Sequence, residues 1–344
     1  MCAATTAPTT PFAAPVVDEL AVRVVVDSRY ERFLPRMMHD NVHIEHTGQV
    51  PGRQMTCLAG EWGLSLHLES VSSGARAQYL LDFGYTPEIV SRNFDILAIE
   101  PEKLNGLILS HGHRDHYGGL EGFVQNFRHK MRDDVSLYIG AEDVFREKWV
   151  KSRPIGNHDG EAGLSSWGSL NRHALVSQRV IPVCCGEPKV LDQAFTTGYI
   201  ERTSFEKITG GSLVMEDVDH FTPEERAGKM VSDSHPEEHA TCYIVKGRGL
   251  VVISSCGHTG IINTVRTAMA VTNSDKVHAV IGGFHLATSP SEYIGMTVDE
   301  MEKLNPDVIL PMHCTGSEFI ERMKARMPHA VVASNLGSRF TFGV

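Results

Sequence analysis

The chain has 344 residues, of which 42% are hydrophobic and 22% charged, and its formal net charge is −10. This composition is that of an ordinary globular protein. Without a basic block it lacks the positive face that sequence-independent nucleic-acid binding requires. Because no apolar run reaches the roughly 18 residues of a membrane-spanning helix, neither a nucleic acid nor a membrane is expected as a partner.

The cysteines and the N-terminal residues indicate the compartment. Seven cysteines are scattered without paired spacing, which fits reduced thiols better than a disulfide framework. Residues 1–18 begin with a stretch rich in Ala, Thr and Pro and lack the basic segment and apolar core of a signal peptide, so we predict a flexible tail. The expected location is the cytoplasm, and residues 19–344 are expected to form a single domain.

In chain order, short β-rich or alternating runs predict strands and amphipathic runs predict helices, in the uneven alternation of a mixed α/β protein. In the first half the predicted elements are strands over 20–26, 64–69, 79–82, 107–109 and 135–139, with helices over 87–99 and 119–129. The polar segment 28–54 carries His39, His43 and His46, which we interpret as part of a solvated loop or of the mouth of a site.

The second half begins with a change of composition. Residues 151–177 shift to Gly, Ser, Asn and His without a clear period, which predicts a lid-like insertion. The elements predicted after it are strands over 180–183, 190–197, 241–245, 250–254, 277–281 and 308–310, a final strand pair over 330–332 and 340–342, helices over 259–272, 298–304 and 319–327, and a helix start near 222–225. The turn at 246–249 predicts that the strands on either side of it form a hairpin.

Four potential metal donors follow the predicted strand 107–109 within six residues. They are His111, His113, Asp115 and His116. Imidazole and carboxylate donors together suit zinc or a similar divalent ion. His111 and His113 alternate and could share one ion, while Asp115 and His116 are placed to serve a neighbouring one.

Two later histidines also follow predicted strands, which is where open α/β sheets build their sites. His258 comes after strand 250–254 in a glycine-rich setting and is the preferred further metal ligand. His285 follows strand 277–281 and is expected either to complete the metal shell or to transfer protons near neutral pH. Cys256 could ligate as a thiolate, although packing in the core is the favoured interpretation.

Other side chains are candidates for contact with a substrate. In the lid-like insertion they are His158, Trp167 and His173, of which Trp167 is preferred. Arg202 could clamp an anionic group, although a structural ion pair would explain it equally well. The substrate is expected to be a small molecule, and the chain could be a monomer or a homodimer.

The motif Ser-His-Gly-His-Arg-Asp-His at 110–116 resembles the His-x-His-x-Asp-His signature of the metallo-β-lactamase superfamily. The resemblance is strongest to a branch of metal-dependent hydrolases, β-lactamase superfamily II, which includes proteins named as pterin-methyl-ribofuranosyl-aminobenzene-phosphate synthases. The further motifs of that branch follow in order: Gly-Leu-Ser at 63–65, Asp-Phe-Gly at 82–84, Thr-Gly-Tyr-Ile-Glu-Arg at 197–202, Cys-Gly-His-Thr-Gly at 256–260, Gly-Gly-Phe-His-Leu at 282–286 and Pro-Met-His-Cys-Thr-Gly at 311–316.

The resemblance implies a four-layer αββα sandwich with the metal site along one edge of its two sheets. It implies that His313 is the last metal histidine and that Asp82 is a buried support beneath the metal loop. His239 falls near the place of the superfamily's third metal histidine and is a further candidate. Cys256 stands where an aspartate commonly bridges two metals, so the number of ions, one or two, stays open.

These features predict a zinc-dependent hydrolase in which a metal-bound hydroxide attacks a small-molecule substrate, with another divalent metal as an alternative to zinc. Asp115 would orient that hydroxide or hold a second ion, and His285 would protonate the leaving group. The resemblance also leaves open a pterin/ribofuranosyl-aminobenzene-phosphate-type synthase, in which Arg202 and the metal would hold phosphate, and a hydrolytic dehalogenase of an activated aryl chloride. His113 argues against the redox di-iron proteins of this fold, which typically carry glutamate at that position.

Overall fold

Two β-sheets packed face to face form the centre of the structure, and helices cover their outer surfaces. The computed structural model describes residues 12–34, 37–46, 56–152, 163–215 and 230–343. His158 and the helix start predicted near 222–225 therefore lie outside the described residues.

The elements are numbered along the described part of the chain. The strands are β1 (Val16–Val17), β2 (Glu19–Val26), β3 (His43–Glu45), β4 (Ser65–Ser72), β5 (Ala75–Leu81), β6 (Gly106–Leu109), β7 (Ser136–Ile139), β8 (Lys148–Ser152), β9 (Gly163–Gly168), β10 (Ile181–Cys184), β11 (Val190–Leu191), β12 (Ala194–Thr196), β13 (Leu213–Met215), β14 (Met230–Ser232), β15 (Thr241–Val245), β16 (Gly249–Ser254), β17 (Val277–Gly282), β18 (Val308–Pro311) and β19 (Arg339–Phe342). The helices are α1 (Pro87–Ile96), α2 (Arg114–Tyr117), α3 (Leu120–Phe127), α4 (Arg172–Ser177), α5 (Ile261–Thr272), α6 (Ser291–Leu304) and α7 (Ser317–Arg326). None of these described helices has both the length and the apolar character that crossing a membrane would need.

The two large sheets share one apolar layer. The first has eight strands in the order β10-β7-β6-β5-β4-β2-β19-β3, and the second has β11-β12-β15-β16-β17-β18 with β1 paired to β15. Residues two apart on a strand point to the same face. Leu66 and Leu68 of β4 accordingly join Val251 and Ile253 of β16 in one buried cluster. This cluster holds the two sheets together.

Helices cover the outer face of each sheet. On the first sheet, α1 and α3 bring the rings of Phe94, Phe123 and Phe127 together with centroids 4.9 to 5.2 Å apart. On the second sheet, α5 and α7 contribute Ile262 and Phe319 to another buried cluster. Both sheets are therefore apolar on both faces, which requires helices outside them. The predicted four-layer αββα sandwich is confirmed.

A third, smaller sheet is separate from the other two and has the order β14-β13-β8-β9. Strand β9 and helix α4 lie within residues 151–177, for which no regular element was predicted. Strand β9 has no alternation of apolar and polar residues, since Ser165 and Ser166 are both exposed. Its extended conformation comes from backbone pairing with β8. The role of this segment as a lid stays a prediction.

Strand pairing also corrects two boundaries in the predictions. Val16–Val17 pair with β15 and Val17 is fully buried, so the ordered domain begins before the predicted end of the flexible tail at residue 18. The single strand predicted over 190–197 is a tight hairpin of β11 and β12, which turns at Asp192 with a φ of 54°.

The last elements of the chain differ from prediction as well. Strand β19 pairs with β2 and β3 rather than with 330–332, where Val331 makes an isolated bridge to Ile309. Helix α6 begins at Ser291, seven residues before its predicted start at 298. Its first turns alternate small, aromatic and charged residues, and packing against the second sheet determines their conformation.

Buried His67 on β4 should make the fold sensitive to acid. Its ring hydrogen-bonds to Gln78 at 3.1 Å, and burial lowers its pKa from 6.5 to about 4. Because the folded state favours the neutral ring, the stability present above pH 6.5 is lost as the pH falls towards 4, by up to about 3 kcal/mol. We expect His67→Gln to reduce this loss, measured as urea unfolding free energy at neutral pH and near pH 4.5. The same pH dependence in both proteins would contradict the prediction.

Candidate metal centre

Side chains from the carboxyl ends of strands in both large sheets meet at one edge of the sandwich. The residues that follow these strands are His111, His113, Asp115 and His116 after β6, Cys256 and His258 after β16, His285 after β17 and His313 after β18. Neighbouring histidine rings among them have centroids 4.3 to 4.9 Å apart. The structure thus brings all six predicted metal ligands, and His285, into one cluster.

The backbone is strained where three strands deliver their side chains to this edge. Asp82, His285 and His313 have φ values of 58°, 46° and 50°, in the left-handed region that favours glycine. Such conformations cost about 1–3 kcal/mol each and persist where the surrounding structure imposes them, often at functional sites. Here they turn the chain sharply at the strand ends.

His111, His113 and His258 form the first group of donors. Each offers a ring nitrogen, and the three nitrogens lie within 4.8 Å of one another. Burial, together with the neighbouring histidines, lowers the pKa of all three rings well below the usual value. The rings are therefore neutral and have a lone pair available for a cation.

Asp115, His116 and His313 form a second group beside the first. Asp115 Oδ2 lies 3.3 Å from His313 Nε2 and 3.9 Å from His116 Nε2. Burial opposes a charge on Asp115, but His116 and the hydrogen bond from His313 outweigh it and lower the carboxyl pKa. Burial likewise opposes a charge on His313, yet Cys314 and Asp115 raise its pKa to about 9. The environment therefore favours positive charge at this point.

Cys256 lies between the two groups of donors. One set of mutually close ligand atoms joins its Sγ with His111 and His116, and another joins it with His258 and His285. His285 Nδ1 is 3.2 Å from this sulfur. Among the described residues, none of the three hydrophobic clusters includes Cys256. Cys256 is nevertheless buried, as the favoured interpretation expected, and its role as a ligand stays a prediction.

We expect Cys256→Ala to weaken metal binding about tenfold or more, because it removes a sulfur donor shared by both groups. The measurement is metal per chain by elemental analysis after dialysis against a weak chelator. Cys242→Ala is the matched control, since Cys242 is equally buried but packs in an apolar cluster. Equal metal content in the two variants would contradict a ligand role for Cys256.

Several donor atoms in the two groups lack any other partner. Buried atoms without a hydrogen-bond partner among the described residues include His111 Nε2, His116 Nε2, His258 Nε2 and Asp115 Oδ1. The second nitrogen of each of these rings is hydrogen-bonded, to Ser110, Asp82 and Thr209 respectively. Metal-bound histidines are typically held in this way, and buried polar atoms are normally paired. The residues present therefore fit a divalent metal such as zinc.

Asp82 supports two of the ligands, as the resemblance implied. Its Oδ2 accepts hydrogen bonds from His116 Nδ1 at 2.7 Å and from Ser110 Oγ at 2.8 Å, and its Oδ1 accepts from Ser110 N at 2.8 Å. Ser110 Oγ is also 2.9 Å from His111 Nδ1. One buried carboxylate thus orients His116 directly and His111 through a serine.

A loop from another part of the chain covers His258. The ring nitrogen Nδ1 of His258 lies 3.0 Å from the carbonyl oxygen of Thr209. A Cβ at Gly210 would lie 2.6 Å from the same nitrogen, and the φ of Gly210 is 110°. Only glycine fits this close approach without strain.

A second buried polar cluster lies behind His113, and the sequence analysis missed it. Its members are Lys148, Ser212, Asp233, His235 and Glu237. The dense acidic and histidine run over 233–239 was a usable signal, but only His239 was singled out there. His239 instead hydrogen-bonds to the carbonyl oxygen of Leu109 at 3.0 Å and supports β6.

Two tryptophans flank the donors, one beside each group. The Trp167 ring centroid is 4.8 Å from that of His113, and the Trp62 ring centroid is 5.0 Å from that of His313. Trp167 is half-buried, and Trp62 is 52% exposed. The predicted Trp167 therefore lies at the site, while Trp62 was missed because nothing in its local sequence distinguishes it.

Two arginines, the predicted Arg202 and Arg114 of the metal loop, differ in their surroundings. Arg202 is exposed, and the adjacent Glu201 N–H donates to Thr267 Oγ1 of helix α5. No hydrogen bond or ion pair joins Arg202 to a metal donor in the described part of the chain. Arg114, between two of the ligands, has its guanidinium 5.6 Å from the Tyr85 ring centroid.

The sandwich and the segment that contains the metal loop match known proteins. Residues 74–131 match the metallo-beta-lactamase superfamily. The crystal structure of Tm1679, described as a metal-dependent hydrolase of the beta-lactamase superfamily, aligns with a TM-score of 0.66 at 20% identity, over 93% of this chain and 98% of that one. The match over residues 74–131 and the shared fold agree with the resemblance to the metallo-β-lactamase superfamily that the motifs indicated.

Two curated relatives from Methanocaldococcus jannaschii are similar over most of the chain. The 7,8-dihydropterin-6-methyl-4-(beta-D-ribofuranosyl)-aminobenzene-5'-phosphate synthase is 29% identical over 274 residues, which cover 76% of this chain and 85% of the relative. An uncharacterised protein of the same organism is 26% identical over 245 residues, or 71% of this chain and 81% of that protein.

Proposed function

We propose that this protein is a zinc-dependent hydrolase of a small-molecule substrate. The observation that supports this most directly is the convergence of buried nitrogen, oxygen and sulfur donors whose free atoms lie close together. The residues proposed to hold two ions are His111, His113 and His258 for one, and Asp115, His116 and His313 for the other, with Cys256 between them. When bound, a divalent ion lowers the pKa of coordinated water towards neutrality and polarises the bond under attack.

We propose that two side chains transfer protons at this centre. Asp115 Oδ1 is buried and has no hydrogen-bond partner among the described residues, so it can accept a hydrogen bond from an attacking water. His285 is only partly buried, and its Nδ1 lies beside Cys256. The other ring nitrogen, Nε2, lies beside the loop at Gly210. We propose that this nitrogen donates a proton to the leaving group.

The surroundings favour a substrate with a flat ring and an anionic group. Trp62 and Trp167 present indole rings beside the donors, and indoles stack on flat rings. Arg114 is exposed next to them and pairs with no carboxylate within the ranges that the structure describes. We therefore propose Arg114 as the cation nearest to the chemistry, with Arg202 as a more distant alternative.

A second candidate function is that of a synthase. The similar protein from Methanocaldococcus jannaschii is named as a synthase of a compound that contains a dihydropterin and a ribofuranosyl-aminobenzene phosphate. A flat pterin ring and a phosphate are groups that tryptophan and arginine recognise. A hydrolytic dehalogenase stays a prediction from the resemblance, and no observation favours it.

One comparison of products separates the two functions. Protein purified without added metal or chelator would first be analysed for zinc, and we expect about two ions per chain. It would then be incubated with lactones, phosphodiesters and an activated aryl chloride, each alone, and with a pterin pyrophosphate with and without a ribofuranosyl-aminobenzene phosphate. Cleavage of a single substrate supports the hydrolase, whereas pyrophosphate release only when both partners are present supports the synthase. Protein without bound metal would contradict both.

Assembly and location stay predictions. A monomer or a homodimer is compatible with the described surface, and no interaction with nucleic acid or membrane is proposed for this acidic chain. Cys57, Cys242, Cys256 and Cys314 are free thiols, which fits the proposed cytoplasmic location.

A further inference from the structure

We propose that Lys148, Asp233 and Ser212 form a hydrogen-bonded chain that positions the metal ligand His113. Lys148 Nζ donates to Asp233 Oδ2 at 2.6 Å and to Glu237 Oε1 at 2.8 Å. Ser212 Oγ donates to Asp233 Oδ2 at 3.5 Å, which is the longest contact in this series of hydrogen bonds. The same oxygen lies 3.0 Å from His113 Nε2. This inference rests on the metal centre of the proposed function and adds residues that orient it.

The donors and acceptors along this chain determine where His113 carries its proton. A serine hydroxyl has one hydrogen, and an ionised carboxylate only accepts, so Ser212 can donate to Asp233, while His235 Nε2, at 3.4 Å, is a second neighbour of the same hydroxyl. Ser212 Oγ then accepts a hydrogen bond from His113, which must carry its proton on Nε2. The lone pair of His113 Nδ1 is left for the ion, whereas His111 and His258 present Nε2.

Burying the charged groups of this cluster costs desolvation free energy. Lys148, Asp233 and Glu237 are 1%, 4% and 0% exposed, and one ammonium group balances only one of the two carboxylates. Buried ion pairs rarely add stability over apolar packing, because desolvation offsets their attraction. The surplus negative charge behind His113 favours a cation in front of it, which gives the cluster a role beyond packing.

The same arrangement supports the neighbouring ligand. Asp82 accepts from Ser110 Oγ, and Ser110 Oγ contacts His111 Nδ1. His111 and His113 are thus each joined to a buried aspartate through one serine hydroxyl. The repetition of this arrangement on both ligands indicates support of the metal rather than a chance hydrogen bond.

The small third sheet supplies the whole chain of residues behind His113. Lys148 begins β8, Ser212 directly precedes β13, and Asp233 directly follows β14. The Asp233 N–H donates to the Ser212 carbonyl at 3.0 Å, which continues the pairing of β13 with β14. We therefore assign to this sheet the function of holding His113 of the metal loop in place.

A separate ion in this cluster is a poorer explanation. His113, Asp233 and His235 also form a set of mutually close donors. Lys148 Nζ, however, already contacts the Asp233 carboxylate at 2.6 Å, in the place where a cation would need that oxygen. The ammonium group and an ion would repel each other there.

The test measures zinc affinity by competition with a chromophoric chelator, using the full chain. We expect Ser212→Ala and Asp233→Asn to bind zinc about tenfold to a hundredfold more weakly. Ser212→Thr keeps the hydroxyl and should restore affinity. Ser70→Ala is the control, because Ser70 Oγ is equally buried but donates to Gln193 at 2.8 Å, away from the metal donors.

A second readout reports on His113 itself. In zinc-loaded protein labelled with ¹⁵N-histidine, ring nitrogen shifts show which nitrogen carries the proton, and we expect Nε2 of His113 in the parent and a changed pattern in Ser212→Ala. Parent-like affinity and shifts in Ser212→Ala, or an equal loss of affinity in Ser70→Ala, would overturn the inference and leave the proposed function intact. A parent protein that binds no zinc overturns both.

Discussion

Replacing Asp115 or His113 by alanine is expected to lower zinc affinity and hydrolytic turnover by about a hundredfold or more each. Asp115 is the carboxylate of the second donor group and lies 3.3 Å from His313, and His113 belongs to the first group. Without His113 the cation loses one nitrogen donor. Without Asp115 it loses an oxygen donor and the negative charge that this donor carries. The measurements are zinc per chain by elemental analysis and turnover on whichever substrate the product comparison identifies.

Asp134→Ala is the matched control for Asp115→Ala. Asp134 is an exposed carboxylate that pairs with Arg132 at 2.9 Å on the surface, where solvent screens the pair, so its removal is expected to change stability little. It should leave zinc binding and turnover unchanged. Full turnover in Asp115→Ala or His113→Ala after their zinc is lost would exclude the metal-dependent hydrolase.

Asp82→Asn is expected to have the second large effect, because one carboxylate orients two ligands. Its two oxygens accept three hydrogen bonds, from His116 Nδ1 and from the Ser110 backbone and hydroxyl. An amide must turn a donor towards one of these donors, which leaves a buried group unpaired at a cost of about 1–3 kcal/mol. We expect zinc affinity to fall about tenfold to a hundredfold and the free energy of unfolding to fall by that amount.

Asparagine is the informative replacement at this position. Asp82 has a φ of 58°, which asparagine tolerates better than most residues, so the variant tests the hydrogen bonds rather than the backbone. Asp18→Asn is the control, since Asp18 accepts a backbone hydrogen bond from Ser73 at the surface. The prediction is contradicted if both variants bind zinc as the parent does.

Much of the fold was predictable because local patterns were strong. The hairpin of β15 and β16 has a glycine-rich turn between two apolar runs, and the strands before the metal loop are short and continuously apolar. Predictions failed where pairing rather than sequence pattern makes the strand. Strand β9 has exposed serines and a half-buried Trp167, so only its hydrogen bonds to β8 reveal it.

Some residues of the candidate site were predictable from the sequence, and others were not. His111, His113, Asp115 and His116 are adjacent in sequence, and their density is itself a signal. Lys148 carries no such signal, because its partner Asp233 is 85 residues away. Cys256 was expected to be buried because a lone cysteine usually is, and it is buried, but only the structure shows that its sulfur lies beside the histidine donors.

The sequence by itself determined the mixed α/β class, the metal loop and the chemistry of its donors, since these depend on periodicity and on residues close together in the chain, whereas the αββα arrangement was implied by the resemblance of its motifs. Only the tertiary structure decided which donors form which group, that Cys256 lies between them, and that Lys148, Asp233 and Ser212 stand behind His113. The physical reason is that chain folding brings together residues far apart in sequence, and the energy of a buried charge depends on the groups that surround it.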